Sequence, residues 1–385
     1  MKALKLIVTA LAVLGLLGLA SCAKKEVKPQ TLKIGAIFAV TGPASFLGAP
    51  EEKTARMFVD QVNATGGIHG LKLELVVKDS KGSPENAISF AKQLITEDKV
   101  FAIVGPSTTG ETMAIKKICD DAKVILVSCA AGEAIVNPVS RYVFKVPQKD
   151  SQAAQRIFEL MNKMGIKKIG VVSSNTGFGK GGKDQLEKLA PAAGVEIVIS
   201  EVYDKEATDL TGVLTKLKGK KVEAVVNWSI EPAQALVAKN LRQLGMKVPL
   251  FQSHGFGNIR YVQEAGEAAE GIIFPSGRLL VTAVLPEGHP QKAVLTKYKA
   301  DYEALYKEDV STFGGHAYDA MLVLTSAIKT AGAESEKVRD AIENTQGLVG
   351  TAGVFYFSAE DHNGLTLNAF EMLTVKDGQF AILAN

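Results

Sequence analysis

Three glycines of this chain have the spacing of a phosphate-binding turn. Gly177, Gly179 and Gly182 satisfy the pattern G-x-G-x-x-G between a predicted strand and a predicted helix, and Glu201 follows at the end of the next predicted strand. Such glycines let a helix N-terminus approach a pyrophosphate, while the acidic residue bonds a ribose hydroxyl. Two features argue against a dinucleotide site. Residues 173–176 separate the first glycine from the tight turn, and this is not the first βα unit of the chain.

Patterns for metal binding and nucleophilic catalysis give no stronger indication of an enzyme. The five histidines are scattered without an i, i+4 pair, and no cysteine cluster accompanies them. They are His69, His254, His289, His316 and His362. The sequence also contains no G-x-S-x-G nucleophile elbow and no P-loop. We therefore expect no enzymatic activity, no metal and no cofactor.

The N-terminus is typical of an exported lipoprotein. Two lysines in residues 1–5 precede an apolar run over residues 6–19, which suits a signal peptide and is too short to span a bilayer. The tetrapeptide LASC that ends at Cys22 resembles the bacterial lipobox, in which the cysteine is lipidated after cleavage before it. We expect a signal peptide over residues 1–21 and a polar tether over residues 22–30. The protein would then be anchored by lipid to a membrane, in the periplasm or at the cell surface.

The composition is that of a folded, exported protein. Of the 385 residues, 46% are hydrophobic and only 3 are cysteine, which excludes a disordered chain and a disulfide scaffold. Lys and Arg number 44 against 41 Asp and Glu, so the net charge is +3 and nothing points to nucleic acid as a partner. Cys119 ends a predicted helix and Cys129 follows the next predicted strand, about 17 Å away. That distance is too long for a disulfide, so we expect two free thiols.

The elements that must position any site alternate between strand and helix. From Thr31 onward, short β-branched runs alternate with segments of helical period, which predicts parallel sheets covered by helices. The alternation starts afresh after residue 142. Helices are predicted over residues 51–63 and 180–193, and a hairpin over residues 366–383 ends the chain. This α/β pattern predicts two Rossmann-like lobes, with the late helices returning to the first lobe.

An ordered set of short motifs in the N-terminal third is more specific. The motifs are Ile34-Gly35-Ala36, Thr41-Gly42-Pro43, Asn63-Ala64-Thr65-Gly66-Gly67-Ile68-His69-Gly70, Val77-Lys78-Asp79, Val104-Gly105-Pro106 and Leu126-Val127-Ser128. In this order and spacing the chain resembles the branched-chain amino acid binding proteins of ABC importers, which are type I periplasmic binding proteins. The resemblance runs from Thr31 to the C-terminus and is weaker after Pro275.

This resemblance implies two lobes joined by three hinge crossings, with a ligand in the cleft between them. We expect the crossings near residues 146–150, 274–277 and 351–358. The first lobe would then comprise residues 31–148 and 276–352, and the second lobe residues 149–275 and 353–385. Ligands of open α/β sheets bind at the carboxyl ends of the strands, which agrees with a site in this cleft.

The first lobe offers a hydroxyl and a loop to the ligand. Thr108 and Glu111 form the pattern of a capping box. Thr109 would then stand at the first helical position and matches the hydroxyl residue that holds the ligand carboxylate in the family. Ala130, Ala131 and Gly132 match a loop whose backbone touches the ligand. The family usually has Thr at the third place of this loop, so the glycine removes one ligand contact.

The second lobe and the cleft edge supply the remaining candidates. Phe178, in the glycine-rich segment, matches an aromatic residue that covers the ligand, and Ile230 matches a second such position. Leu47 and Phe46 would line the side of the first lobe. These four residues would enclose the apolar part of the ligand.

Two positions bear on the charge of the ligand. His254 stands where amino acid binders usually place an acidic residue against the ligand ammonium, and a charged histidine would repel that ammonium. Asp150, at the first crossing, matches an acidic residue of the family and could still attract an amine.

The expected function is therefore capture of a small organic ligand for an ABC permease. The ligand would be a hydrophobic or branched-chain amino acid or a related small carboxylate, and the changes at Gly132 and His254 favour a carboxylate without an α-amine. Two alternatives stay open. One is a ligand-sensing pair of lobes for a membrane receptor, and the other is an exported NAD-dependent oxidoreductase that uses the glycine-rich segment.

Overall fold

The first lobe is built on a five-stranded parallel sheet. The computed structural model describes residues 31–384, so the predicted signal peptide, Cys22 and the tether lie outside the described residues. The strands of this sheet are β1 (Thr31–Phe38), β2 (Lys72–Asp79), β3 (Ala102–Val104), β4 (Ile125–Ser128) and β5 (Val143–Lys145). Their order is β2-β1-β3-β4-β5, with Ile34 opposite Leu75 on one side and Ala102 on the other. Helices therefore must cover both faces of the sheet.

Six helices belong to the first lobe. They are α1 (Ser45–Ala64), α2 (Pro84–Thr96), α3 (Thr109–Asp121), α9 (Lys292–Tyr306), α10 (Thr312–Ala331) and α11 (Ser335–Glu343). The last three follow the second lobe in the chain and return to the first, as predicted. Met321 and Leu324 of α10 are fully buried in the same core as Ile34 and Val104 of the sheet.

The second lobe contains a seven-stranded sheet. Its strands are β6 (Lys168–Ser174), β7 (Glu196–Tyr203), β8 (Ala224–Trp228), β9 (Leu250–Gln252), β10 (Ile273–Ser276), β13 (Glu371–Lys376) and β14 (Gln379–Ile382). Their order is β14-β13-β10-β9-β8-β6-β7, and the pairs β10–β13 and β13–β14 are antiparallel. The helices of this lobe are α4 (Asp150–Lys163), α5 (Gly177–Leu189), α6 (Thr211–Gly219), α7 (Ala233–Gln243) and α8 (Ile259–Ala265).

The third passage between the lobes lies later than the sequence predicts. Strands β11 (Gln346–Val349) and β12 (Val354–Tyr356) pair with each other. Phe355, Phe357 and Leu365 then pack in the core of the first lobe. Because these apolar side chains pack in the first lobe, the chain remains in that lobe over residues 351–358, where a crossing was expected. The chain joins the second sheet only at β13, so the predicted boundary at residue 352 is replaced by one near residue 370.

Helix α1 begins six residues before its predicted start. The apolar face of residues 51–63 predicts the helix there, yet the helix starts at Ser45 and contains Pro50, a residue that usually interrupts helices. Proline has no N–H, so the carbonyl of Phe46, four residues earlier, has no helical donor at this position. The side chain of Asn258 on the second lobe donates to that carbonyl oxygen at 3.1 Å. The proline thereby supplies an acceptor to the contact between the lobes.

Cys119 and Cys129 are free and buried, as predicted. Burial raises the pKa of the Cys119 thiol to about 12 and that of Cys129 well above its ordinary value, so both thiols are protonated and unreactive in the folded protein. A thiol reagent, used without any reductant, is expected to detect both thiols only after the protein is unfolded. The double variant Cys119→Ala, Cys129→Ala should lower the unfolded count by two, and an unchanged count would show that the two sulfurs are bonded.

Asp319 makes the stability of the first lobe depend on pH. Its buried carboxylate accepts from the backbone N–H groups of Thr351 and Ala352, at 2.6 and 2.7 Å. Burial nevertheless raises its pKa to about 7, from 3.8, so the folded state binds a proton more tightly than the unfolded state. This group therefore contributes most stability below pH 4, and its contribution falls as the pH rises towards 7.

We expect a comparison with Asp319→Asn to show this dependence. The free energy of unfolding of the wild type, relative to the variant, should fall by up to about 4 kcal/mol between pH 4 and pH 7 and then level off. Denaturant titrations at several pH values measure this difference. The exposed residue Asp60 provides the control, since Asp60→Asn should show no such slope. A difference that rises between pH 4 and pH 7 would contradict the assignment.

Candidate functional site

A small cavity lies between the two lobes, at the carboxyl ends of their strands. Its volume is about 20 Å³, room for about one water molecule. Seven of the ten predicted ligand residues line it: Leu47, Thr109, Ala130, Ala131, Phe178, Ile230 and His254. The other five lining residues were not predicted: Ser107, Cys129, Gly255, Phe313 and His316. The lobes are closed around this space, so they must separate to admit a ligand.

Thr109 presents a hydroxyl and a helix N-terminus to the cavity. The predicted capping box is present, because Thr108 accepts from the N–H of Glu111 and the Glu111 side chain accepts from the N–H of Thr108. Thr109 is therefore the first residue of α3, whose first N–H groups have no partner within the helix. Its hydroxyl accepts from the N–H of Gly132 at 3.2 Å. That bond leaves the hydroxyl hydrogen available for a ligand carboxylate.

Gly132 lies behind Thr109 and does not line the cavity, contrary to its predicted role. A Cβ atom at this position would lie 2.3 Å from Cγ2 of Thr109 and 2.8 Å from its hydroxyl oxygen. The absence of a side chain at residue 132 is therefore what allows Thr109 its position. The two preceding residues of this loop, Ala130 and Ala131, both line the cavity.

Phe178 is buried in the first turn of a helix, whereas the sequence places it in a loop. Helix α5 starts at Gly177 because Thr176 caps it, accepting from the N–H of Gly179 at 3.2 Å. The predicted start at residue 180 is therefore wrong by three residues. The helix directs Phe178 into the cavity, where its ring meets the His254 ring edge-on at a centroid distance of 5.4 Å. The side chain closes the cavity from the second lobe, as expected of a cover.

The glycine-rich segment owes its small residues to packing. A Cβ atom on Gly177 would lie 3.2 Å from the backbone nitrogen of Gly110 on the first lobe. One on Gly179 would lie 2.1 Å from the carbonyl oxygen of Ser174, and one on Gly182 would lie 2.0 Å from Nε1 of Trp228. Each of the three motif glycines thus permits a close contact with protein atoms. The N-terminus of α5 also meets the first lobe at Gly110, so packing accounts for all three glycines without a dinucleotide.

His254 is surrounded by aromatic rings and has no polar partner. Its ring lies 5.4 to 5.7 Å, centroid to centroid, from the rings of Phe178, Trp228 and Phe370. Neither ring nitrogen has a hydrogen-bond partner among the described residues. Burial, with a smaller contribution from the charge of Lys145, lowers the pKa of His254 well below its ordinary value. The imidazole is therefore neutral at pH 7 and offers one donor and one acceptor.

Asp150 stands behind His254 and does not line the cavity. One carboxylate oxygen accepts from the N–H of Glu133 at 3.2 Å, and the other lies 3.8 Å from Nε2 of His254. Burial raises the pKa of Asp150, and nearby Lys145 opposes that shift. The ammonium of Lys145 donates to the carbonyl oxygens of Pro147 and Gln148. The predicted amine contact of Asp150 is therefore screened by His254.

Phe46 also lies outside the cavity, contrary to its predicted role. Its ring packs edge-on against Tyr261 at 5.1 Å and under the guanidinium of Arg260 at 4.0 Å. It joins the two lobes beside the site, while the neighbouring Leu47 points into the cavity.

A larger chamber of about 340 Å³ adjoins the cavity at the mouth of the cleft. The two spaces share Thr109, Phe178 and Ile230 in their walls. Lys81 from the first lobe and Lys205 and Glu231 from the second lobe also line the chamber, so it carries side chains of both charges.

The unpredicted residues of the site gave no local signal in the sequence. His316 lies in the first turns of α10, about 60 residues after the other histidine of the cavity, and only the return of this helix to the first lobe brings the two together. Ser107 was part of a recognised segment, but its hydroxyl accepts from the N–H of Ala39 at 3.0 Å and donates to Glu51, so it serves the scaffold.

The described part of the chain offers no metal site and no membrane span. No group of three or more histidine, cysteine, aspartate or glutamate side chains among residues 31–384 could hold a metal ion. Within the same residues, no helix combines the length and apolar character that crossing a bilayer requires.

Comparison with known proteins agrees with this architecture. The family model for periplasmic binding proteins matches residues 31–379. A leucine-, isoleucine-, valine-, threonine- and alanine-binding protein from Pseudomonas aeruginosa is 25% identical over 333 residues, which cover 85% of this chain and 86% of that protein.

Solved structures show the same fold over nearly the whole described chain. An extracellular ligand-binding receptor from Rhodopseudomonas palustris superposes with a TM-score of 0.87 at 27% identity, covering 92% of this chain and 99% of the other. The branched-chain amino acid transporter substrate-binding protein LivJ from Streptococcus pneumoniae, in complex with isoleucine, gives 0.81 at 30% identity, with coverages of 91% and 98%. The chain therefore belongs to the periplasmic binding protein family, and within it to the branched-chain amino acid binding, type I proteins.

Proposed function

We propose that this protein is the extracytoplasmic solute-binding lipoprotein of an ABC transporter. It captures a small, largely apolar carboxylate in the cleft between its lobes and delivers it to a membrane permease. The observation that carries the proposal is the cavity itself. Thr109 and the N-terminus of α3 face Phe178, Ile230 and His254 across it, so that one ligand can contact both lobes at once.

Closure of the lobes follows from these contacts. A ligand that touches both lobes only in the closed state favours that state by the difference in its interaction free energy. Two contacts beside the cavity already join the lobes: Asn258 donates to Phe46, and the N–H of Thr312 donates to the carbonyl oxygen of Gly257 at 3.0 Å. We place the hinge for this motion at residues 146–150, 274–277 and 369–371. The protein binds and releases its ligand without chemical change.

The residues at the site support a ligand without an α-amine over an amino acid. None of the twelve residues that line the cavity carries a carboxyl group. The carboxylate of Asp150 is separated from the cavity by His254 and shares its surroundings with the ammonium of Lys145. The Glu51 carboxylate lies behind Ser107, and that of Glu231 lines the adjoining chamber. An ammonium group would therefore be desolvated there without an anionic partner, at a cost of several kcal/mol. A carboxylate at Thr109 has no such penalty, because helix N–H groups and a hydroxyl can bond it.

Titration of ligand-free protein tests the proposal. The protein is unfolded, dialysed and refolded, and calorimetry is then performed with leucine, valine, phenylalanine and their amine-free carboxylate analogues. We expect micromolar or tighter binding of at least one carboxylate, and weaker binding of its amino acid. Binding of leucine as tight as that of 4-methylpentanoate would contradict the preference, and absence of binding by the whole panel would contradict the ligand class.

Thr109→Ala should weaken binding of the preferred carboxylate by about tenfold to a hundredfold. The variant loses the hydroxyl that bonds the carboxylate, which corresponds to about 1 to 3 kcal/mol. Thr96→Ala, which removes an exposed hydroxyl at the end of α2, is the control and should bind as the wild type does. Unchanged affinity in Thr109→Ala would remove this residue from the site.

The location of the protein is inferred from its N-terminal leader and from its family. We infer cleavage before Cys22, lipidation of that cysteine, and attachment to a membrane outside the cytoplasm through residues 22–30. Mass spectrometry of the purified membrane-bound protein should find a diacylglyceryl modification at Cys22, and Cys22→Ala should release the protein from the membrane. Retention of that variant on the membrane would contradict the anchor.

A further inference from the structure

Two histidines from opposite lobes face the same cavity with unused ring nitrogens. His254 belongs to the second lobe and His316 to α10 of the first lobe, and their side chains are only 6% and 7% exposed. Nδ1 of each histidine is buried without a hydrogen-bond partner, and Nε2 of His254, also unbonded, lies 3.8 Å from the Asp150 carboxylate behind it. Buried polar atoms in folded proteins are usually bonded, and leaving one unbonded costs about 1 to 3 kcal/mol. Their arrangement around a ligand cavity indicates that a ligand group bonds them.

The surroundings keep both imidazoles neutral. Burial, assisted by the charge of Lys145, lowers the pKa of His316 to about 3 and that of His254 well below its ordinary value. A neutral imidazole has one N–H donor and one nitrogen acceptor. The pair can therefore bond a group that accepts hydrogen bonds, or one that both donates and accepts, and it provides no negative charge for an ammonium.

The size of the cavity fixes where that group lies on the ligand. Thr109 and the two histidines line the same space of about 20 Å³, so a carboxylate at Thr109 places its neighbouring carbon beside the imidazoles. The rest of the ligand can pass between Phe178 and Ile230 into the chamber of about 340 Å³, where Pro43, Ala44 and Pro84 offer apolar surface. The group that the histidines bond is therefore the substituent on the carbon next to the carboxylate.

We propose that His254 and His316 form a specificity pair that selects 2-oxo or 2-hydroxy carboxylates with an apolar tail. This inference rests on the proposed function, namely capture of a carboxylate in the cleft, and adds the oxygen substituent that the site recognises. The pair bonds the oxygen at carbon 2, and a ligand without that oxygen leaves both imidazoles unbonded when the lobes close.

Four ligands with the same tail separate these possibilities. Calorimetry on refolded, ligand-free protein uses 4-methyl-2-oxopentanoate, 2-hydroxy-4-methylpentanoate, 4-methylpentanoate and leucine. We expect one of the two oxygen-bearing acids to bind at least about tenfold tighter than both 4-methylpentanoate and leucine. Equal affinity for 4-methylpentanoate and the oxygen-bearing acids would overturn this inference and leave the proposed function standing. No binding of any of the four would overturn both.

Variants of His254 test whether this residue causes the preference for the oxygen-bearing acid. His254→Phe keeps a ring among the aromatic neighbours and removes both nitrogens, so the ratio between the oxygen-bearing acid and 4-methylpentanoate should fall to within about threefold of one. His254→Gln retains a donor and an acceptor and should restore part of the ratio. His69→Asn, at an exposed turn with a positive φ that asparagine tolerates, should keep the wild-type ratio. An unchanged ratio in His254→Phe would overturn the inference, and if that variant does not fold, the wild-type ratios among the four ligands decide.

Discussion

Gly182→Ala is expected to destabilise the protein by about 3 kcal/mol, as measured by denaturant unfolding. The added Cβ atom would lie 2.0 Å from Nε1 and 2.2 Å from Cδ1 of the Trp228 indole. This indole is fully buried and packs against Phe178 and His254, so it cannot move without disturbing the cavity wall. We therefore expect weaker ligand binding as well.

Gly181→Ala is the matched control for this prediction. Gly181 is the neighbouring residue of the same helix, and a Cβ atom there would lie at an ordinary 3.5 Å from an oxygen of Asp150. Alanine is the better helix former by about 1 kcal/mol, so this variant should be as stable as the wild type or slightly more stable. A dinucleotide site would give the opposite ranking: little loss of stability in Gly182→Ala, and loss of a bound nucleotide. Equal stability of the two variants would contradict the packing role of Gly182.

Gly132→Thr is expected to weaken ligand binding by about tenfold or more, although it restores the residue that the family usually has. The backbone at residue 132, with φ −53° and ψ 128°, accepts any residue. The obstacle is Thr109, whose methyl group lies 2.3 Å from the new Cβ atom. Overpacking of this kind costs about 1 to 3 kcal/mol, and here it displaces the hydroxyl that is to bond the carboxylate. Calorimetry with 4-methylpentanoate and leucine measures the change.

A second substitution shows whether the methyl group is responsible. Thr109→Ser removes the clashing carbon and retains the hydroxyl, so the double variant Gly132→Thr, Thr109→Ser should regain part of the lost affinity. Thr109→Ser alone should bind nearly as the wild type does. An increase in leucine affinity in Gly132→Thr would instead show that the glycine is a lost amino acid contact, and would contradict the steric account.

Local patterns predicted the features that depend on near neighbours in the chain. The alternation of strands and helices from Thr31 onward and the capping box at Thr108 are both present. The starts of α1 and α5 were misplaced because Pro50 and the glycines near Gly179 are poor helix formers. Tertiary contacts override that preference, since Asn258 uses the carbonyl that the proline leaves open, and Trp228 occupies the space that Gly182 leaves.

The sequence predicted only part of the candidate site. Thr109 and Phe178 were predicted because their positions match ligand-contacting residues of the family, and both line the cavity. His316 was missed because α10 (Thr312–Ala331) reaches the cleft only after the chain has returned to the first lobe at residues 274–277, and no spacing in the sequence indicates that contact. Phe46 was wrongly included with Leu47 because adjacent residues of a helix point in different directions.

The contact between Asn258 and the Phe46 carbonyl does not involve a ligand, and it therefore sets the balance of open and closed protein before any ligand arrives. The apparent dissociation constant of every ligand is the intrinsic constant divided by the fraction of protein that can accept it. A change in this contact should shift the affinities for all ligands by one common factor and leave their ratios unchanged. The contact beside Pro50 is thus expected to change affinity without changing selectivity, whereas residues of the cavity wall can change both.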